Sequence, residues 1–343
     1  MRKRVYIAYG GGTIGMRQTA GGYAPEPGFL AAQMAAMPEL ASARLPEYTL
    51  QEYDPLLDSS NTTPADWWRI ARDLAGRYDA FDGFLVLHGT DTMAYTASAL
   101  SFLLEGLDKP VILTGSQIPL CEIRSDARDN LIASLLIAGS EPLPEVCIYF
   151  GNRLLRGNRA VKVSADALAA FDSPNYPPLG EVGVDIEIRR RLVLPRSSVP
   201  FRVRQPGAPK VAALRLFPGI PAEVVRNVLQ PPLQGLVLET YGVGNAPDRD
   251  PELLEALREA SARGVVIVNC TQCLQGTVDM GDYVTGARLA QAGVIGGRDM
   301  TAEAALTKLY YLLGLGFPSA EMKRQMQANL RGELTPGGSS LAG

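Results

Sequence analysis

Thr13 is the first side chain able to do chemistry after three consecutive glycines, in the stretch Val5-Tyr6-Ile7-Ala8-Tyr9-Gly10-Gly11-Gly12-Thr13. The glycines strip side chains from the end of an apolar, β-branched and aromatic run, so the main chain can turn sharply and a ligand can approach it closely. Open α/β sheets bind ligands just outside the carboxyl ends of their strands. Thr13 is therefore a candidate nucleophile. A threonine hydroxyl is weak in that role and needs a base or a polarising network. The sequence has one histidine, His88, at the end of an apolar strand, where its expected role is structural. The activating groups must come from elsewhere. Asp58-Ser59-Ser60 follows one strand, Gly89-Thr90-Asp91-Thr92 joins another to a helix, and Thr114-Gly115-Ser116-Gln117 ends a third. A single threonine or aspartate would cap the helix after His88; three polar residues in a row exceed that need. Lys162, in a polar stretch from 153 to 164, could pair with Asp91 and Thr90, since a buried lysine can act as base or relay. Glycine-loop amides and hydroxyls can stabilise an oxyanion. The set suits acyl transfer from a small polar amide.

Three other chemistries are weaker matches. Gly10-x-Gly12-x-x-Gly15 has the spacing of a dinucleotide fingerprint, but that motif needs its glycines to open a helix. Gly21-Gly22, Pro25 and Pro27 follow instead, and they argue against a helix. The segment reads as a loop or small hairpin able to fold back over the glycines, with Tyr23 reaching Thr13 as a lid. Cys270-Thr-Gln-Cys273 has redox or zinc spacing. There is no second such pair, and Cys270 follows the buried-strand pattern Val265-Val266-Ile267-Val268. Metal catalysis lacks a ligand cluster, so no metal and no cofactor is expected.

The elements that must hold these groups alternate. Strands are expected at Val5–Tyr9, Tyr48–Tyr53, Gly83–Leu87, Pro110–Leu113 and Glu145–Phe150, and helices at Phe29–Met37, Pro64–Tyr78, 92–104 and 125–138. Thr63-Pro64 reads as a cap and first helical residue. Repetition of strand, loop and helix implies crossover connections and a parallel sheet. From 189 to 210 the character changes: an arginine triplet and four prolines with no helical period mark a linker or extended crossing. A second α/β unit follows from Val211, with strands at Val211–Phe217, Gly235–Glu239 and Val265–Asn269 and helices at Pro251–Arg263, Thr301–Leu313 and Ser319–Leu330. The expected organisation is α/β throughout, with a larger amino-terminal domain (1–188), a linker (189–210) and a smaller carboxyl-terminal domain (211–343). The tail Gly337-Gly338-Ser339-Ser340 is expected to fray.

Composition bounds the partners. The 343 residues are 46% apolar and 20% charged, with a formal net charge of −3. That balance gives no electrostatic footprint for nucleic acid, and no apolar run reaches the length of a membrane span. Met1-Arg2-Lys3-Arg4 is basic but lacks the apolar core and cleavage site of a signal peptide. With four cysteines readable as free thiols, the expected compartment is the cytoplasm.

Several motifs in order resemble the bacterial-type L-asparaginases: Gly11-Gly12-Thr13-Ile14, His88-Gly89-Thr90-Asp91-Thr92-Met93 and Thr114-Gly115-Ser116. Asp58-Ser59-Ser60, Asn158-Arg159 with Lys162, Tyr241-Gly242-Val243-Gly244-Asn245 and Asn329-Leu330-Arg331-Gly332-Glu333 point to the cytoplasmic type I branch. The resemblance spans the chain. It implies hydrolysis of L-asparagine to aspartate and ammonia without a cofactor, by a homodimer or a dimer of dimers. By motif position it makes Thr13 the acylated nucleophile and Tyr23 its partner, with Thr90, Asp91 and Lys162 as a second triad. Asp58, Ser59, Ser60, Gly89, Ser116 and Asn245 would hold the substrate. An archaeal-type tRNA-dependent amidotransferase subunit shares this core but usually carries an extra amino-terminal domain, and a non-catalytic amino-acid sensor could use the same fold.

Two positions depart from the pattern. Gly10 stands where many members have threonine, and Glu239 where the allosteric type I enzymes place arginine. An acid there would repel the carboxylate of a second asparagine. The expected rate against asparagine is close to hyperbolic; a clearly sigmoidal curve from a pure dimer would contradict that assignment of Glu239.

Overall fold

A computed structural model of the chain describes residues 2–140, 142–281 and 284–336. The tail Gly337–Ser340 lies outside the described residues. The chain divides into two compact units, Met1–Arg204 and Gln205–Gly343.

The first unit is built on an eight-stranded sheet. In spatial order its strands are Ile186–Ile188, Gly180–Val182, Arg153–Arg156, Val146–Phe150, Val111–Thr114, Gly83–Leu87, Arg4–Gly11 and Glu47–Leu57. The last five are mutually parallel. Arg4–Gly11 lies inside the sheet, and Val5 to Tyr9 are all buried. Each such large apolar side chain contributes roughly 1.5–3 kcal/mol by leaving water. Helices Phe29–Ala35, Pro64–Gly76, Met93–Leu103 and Ala127–Ser140 are the crossovers. The start of Pro64–Gly76 is fixed as its sequence suggests: the Asp66 carboxylate accepts from Thr63 N (2.8 Å) and Thr63 Oγ1 (2.7 Å).

The sheet is mainly rather than wholly parallel. Arg153–Arg156 turns back antiparallel to Val146–Phe150, and Gly180–Val182 and Ile186–Ile188 continue that edge. These strands are short and carry arginine, glutamate and glycine, so they lack the apolar runs that mark the central strands. Glycine and asparagine at positive φ, Gly151 and Asn152, make the turn between Val146–Phe150 and Arg153–Arg156. Arg156, 3% exposed, meets Glu145 at 2.6 Å, and Glu145 also accepts from Leu194 N at 2.8 Å. Within the expected linker, Arg190–Leu192 is a 3-10 turn and Arg202–Val203 pairs antiparallel with Leu104–Glu105.

The second unit is a parallel four-stranded sheet in the order Val211–Arg215, Gly235–Thr240, Val266–Thr271, Ile295–Gly296. Its helices include Ala222–Val228 and Val284–Gln291, neither anticipated from the sequence, besides Pro251–Ala262, Ala302–Gly314 and Ser319–Gln327. Asp250 caps Pro251–Ala262 by accepting from Glu252 N and Leu253 N. A wholly buried ion pair, Lys308–Glu333 at 2.6 Å, holds the carboxyl-terminal segment: Lys308 also donates to Met326 O and Ala328 O, and Glu333 accepts from Leu330 N and Arg331 N. The motif Asn329–Glu333 is thereby a structural clamp. Cys270 lies in the strand Val266–Thr271, and burial pushes its thiol up to about 12, as befits an inert core cysteine.

Removing one partner of a buried pair leaves the other charge uncompensated. Glu145→Ala should therefore lower stability by about 3–5 kcal/mol, read from urea unfolding followed by a probe in the first unit. A loss under about 1 kcal/mol would show that Arg156 finds other partners.

Candidate active site

The candidate residues of the first unit collect at the carboxyl ends of its parallel strands. Two glycines decide how closely those ends approach. A Cβ on Gly12 (φ +97°) would lie 2.4 Å from Gly89 N, and one on Gly89 would lie 2.5 Å from Ser59 Oγ. Three loops from three strands thus meet: the glycine loop and the loop after Gly83–Leu87 main chain to main chain, and the loop after Glu47–Leu57 through the Ser59 side chain against Gly89. Thr13 and Thr90 are the first side chains beyond the Gly12–Gly89 contact. Thr13 opens a one-turn 3-10 helix, Thr13–Gly15, and is half-buried.

Around Thr90 the geometry is a network. Lys162 Nζ donates to Thr90 Oγ1 at 2.8 Å and to Asp91 Oδ1 at 2.6 Å. Thr90 is 6% exposed, and the Lys162 side chain is largely covered while that of Asp91 is open. Asp91 is too exposed for the pair to add much stability; what it supplies is orientation of the ammonium. Arg153–Arg156 runs back to the amino end of Val146–Phe150, and the chain reverses through the 3-10 turn Gly157–Arg159 before Lys162. A short ladder, Val161–Lys162 on Phe171–Asp172, then fixes its strand. Thr92 donates to Ser59 O at 2.8 Å, tying the second loop to the third.

Asp58 caps the turn Ser59–Asn61 by accepting from Ser60 N at 3.0 Å. Asp58 and Ser60 are exposed, whereas Ser59 is buried beneath Gly89. Ser116 is buried, 1% exposed, and its hydroxyl has no hydrogen-bond partner among the described residues. A buried hydroxyl left this way costs free energy unless a ligand or water meets it. His88 is excluded as a base. Burial holds its pKa below the usual imidazole value, and its nitrogens are engaged by Gly89 O (2.7 Å) and Thr96 Oγ1 (3.0 Å).

Tyr23 lies on an ordered hairpin, Met16–Thr19 paired with Gly22–Pro25. Its hydroxyl donates to Glu122 Oε1 at 2.8 Å rather than to Thr13, and the residue is 47% exposed. The Glu122 hydrogen bond raises the pKa of the phenol, so in this arrangement Tyr23 holds its proton. Asn245 belongs to the second unit, in a turn where Tyr241 and Asn245 exchange backbone hydrogen bonds. The fully buried Asn269 supports that turn by donating to Gly244 O at 3.0 Å. Three contributors around the site were not singled out from sequence: Gln117, Glu122 and Asn130. Their partners lie 27, 99 and 15 residues away in the chain, which no local motif reveals.

A parallel α/β unit with threonines, a serine-rich loop and a lysine–aspartate pair at its strand ends defines an amidohydrolase-like site. The comparisons make the assignment specific. The family model described as Asparaginase, N-terminal matches residues 4–194. The one described as Glutaminase/Asparaginase C-terminal domain matches 210–326. The chain is 52% identical over 335 residues to L-asparaginase 1 of Escherichia coli K12, covering 98% of this chain and 99% of that protein. It is 48% identical to the human 60 kDa lysophospholipase, covering 97% of this chain and 62% of that protein. The solved structure of L-asparaginase I from Vibrio cholerae superposes with a TM-score of 0.92 at 52% identity, covering 98% of this chain and all of that one. The chain belongs to the asparaginase family.

Because Lys162 binds both Thr90 and Asp91, changes to the pair should not multiply. Asp91→Asn and Lys162→Met should each lose most of the turnover, and the double variant should be little worse than the worse single. Multiplicative losses in steady-state rates would assign the two residues independent roles.

Proposed function

We propose that the protein hydrolyses the side-chain amide of L-asparagine, giving L-aspartate and ammonia through an acyl-enzyme on Thr13. The observation that carries this reading is the Lys162–Thr90–Asp91 network built at the same strand ends as Thr13, with Gly12 against Gly89. In the first half-reaction Thr13 Oγ1 attacks the amide carbon. The hydroxyl proton passes to the departing nitrogen, the C–N bond breaks and ammonia leaves. In the second, water attacks the Thr13 ester and the hydroxyl is restored. Tyr23 is the proposed partner of Thr13 in the first step, which requires its hydroxyl to leave Glu122 as the hairpin closes over substrate. Thr90, Lys162 and Asp91 polarise the attacking water. Asp58 suits the substrate's α-ammonium, and Ser59, Ser60, Gly89, Ser116 and Asn245 are assigned to the remaining polar groups.

The similarity to L-asparaginase 1 over nearly the full length of both chains supports this substrate. We propose a homodimer, or a dimer of dimers, as the working assembly, and the cytoplasm as its compartment, in keeping with four free cysteines.

Ammonia release with asparagine and glutamine in parallel, and fatty-acid release with a lysophospholipid as the third arm, tests the substrate class. Asparagine turnover with no lysophospholipid cleavage is the expected result. Thr13→Ala should lose nearly all turnover, by a factor of about 10³ or more, while still binding aspartate, because only the nucleophile is removed. Near-wild-type ammonia release by that variant would reassign the nucleophile.

A further inference from the structure

The loop after Val111–Thr114 carries a side chain that the proposed reaction leaves unused. Thr90 has one hydroxyl proton. Lys162 Nζ can only donate, so at 2.8 Å it occupies a lone pair of Thr90 Oγ1. The proton of Thr90 must therefore point elsewhere, and Gln117 Oε1 accepts it at 3.2 Å. The Gln117 amide is not free to turn over. Its Nε2 donates to Ala165 O at 3.1 Å and Ala167 O at 3.2 Å, and a flipped amide would set oxygen against two carbonyl oxygens.

The backbone of Gln117 is held as firmly. The Asp126 carboxylate accepts from Gln117 N (3.0 and 3.1 Å) and from Ile118 N (3.0 Å). Asn130 donates to that carboxylate at 3.1 Å and to Gly115 O at 3.0 Å. The hydrogen bonds run one way, from Lys162 to Thr90 to Gln117 to Ala165 and Ala167, and end on the segment just beyond Lys162. The hydrogen bonds stop at these two carbonyls, and the short stretch of main chain from 162 to 167 joins the two ends of the run.

We infer that Gln117 is a positioning residue for Thr90. By taking the hydroxyl proton it fixes which lone pair of Thr90 faces Lys162, so the Thr90 oxygen is oriented before substrate arrives. Without that acceptor the hydroxyl turns among several rotamers, and preorganisation is lost at the step Thr90 serves. The effect falls on turnover and leaves affinity nearly alone. The inference rests on the amidase reading above.

The test uses the full-length protein and asparagine-dependent ammonia release, with thermal unfolding to confirm that each variant folds. Gln117→Met removes the acceptor and the donors. Gln117→Glu keeps an oxygen for Thr90 but loses the donors to Ala165 and Ala167. Gln117→Met should lower kcat about threefold to tenfold, the range of one neutral hydrogen bond, with KM changed by less than about twofold. Gln117→Glu should lose less of kcat than Gln117→Met, because it keeps the acceptor for Thr90 even though its second oxygen faces Ala165 O and Ala167 O. Equal losses in both would make Gln117 a tether for the 165–167 segment only and overturn the inference. A double-mutant cycle gives a second reading: in a Thr90→Val background, Gln117→Met should cost nothing further in residual rate. A full independent loss there would also overturn it. A wild-type protein that releases no ammonia would overturn the amidase reading and this inference with it; an active wild type with equal losses overturns the inference alone.

Discussion

Everything at the site depends on how closely three strand-end loops approach one another. The separation is set by main chain against main chain, Gly12 on Gly89, with Ser59 seated where a side chain on Gly89 would be. A single methyl group at Gly12 would lie 2.4 Å from a backbone nitrogen, which no rotamer change relieves. The constraint acts on separation rather than on chemistry. It decides how near Thr13 at one strand end can come to the hydrogen-bonded Lys162, Thr90 and Asp91 at another.

The polar side chains around that contact act by directing protons. His88 is held neutral with both nitrogens occupied, Tyr23 keeps its proton on Glu122, and Lys162 delivers two hydrogen bonds. The buried hydroxyl of Ser116, in the loop that also carries Gln117, faces no partner among the described residues. A buried hydroxyl in that state costs free energy until a ligand or water meets it.

Much of this was legible in the sequence, for a definite reason. Central parallel strands are continuous apolar runs, and the candidate loops follow them directly, so Val5–Tyr9 and Phe84–Leu87 announce both the strand and the position of Thr13 and Thr90. Asp250 and Thr63 announce helix starts because capping is local. What sequence hid is non-local or short. Arg153–Arg156 and its antiparallel neighbours carry charge and glycine at positions where alternation would be read, and Ala222–Val228 spans only two turns. Gln117 was visible in the loop after Thr114, but its value lies in meeting Thr90 and the 165–167 segment, contacts that exist only once four elements have packed. Tyr23 was recognised, yet its partner in this structure, Glu122, is 99 residues away.

The buried Lys308–Glu333 pair has a consequence for how sequences of this kind can drift. Either residue changed alone strands an ion at a position with no exposure to water, and about 3–5 kcal/mol is a large share of the roughly 5–15 kcal/mol by which proteins are stable. Each single step away from the pair is therefore closed, although an apolar pair of similar volume could serve as well. Positions 308 and 333 are bound to one another as a unit of inheritance: they can be exchanged together or kept together. The amide groups that Glu333 holds at Leu330 and Arg331 extend that restriction to the main-chain path of the segment between them.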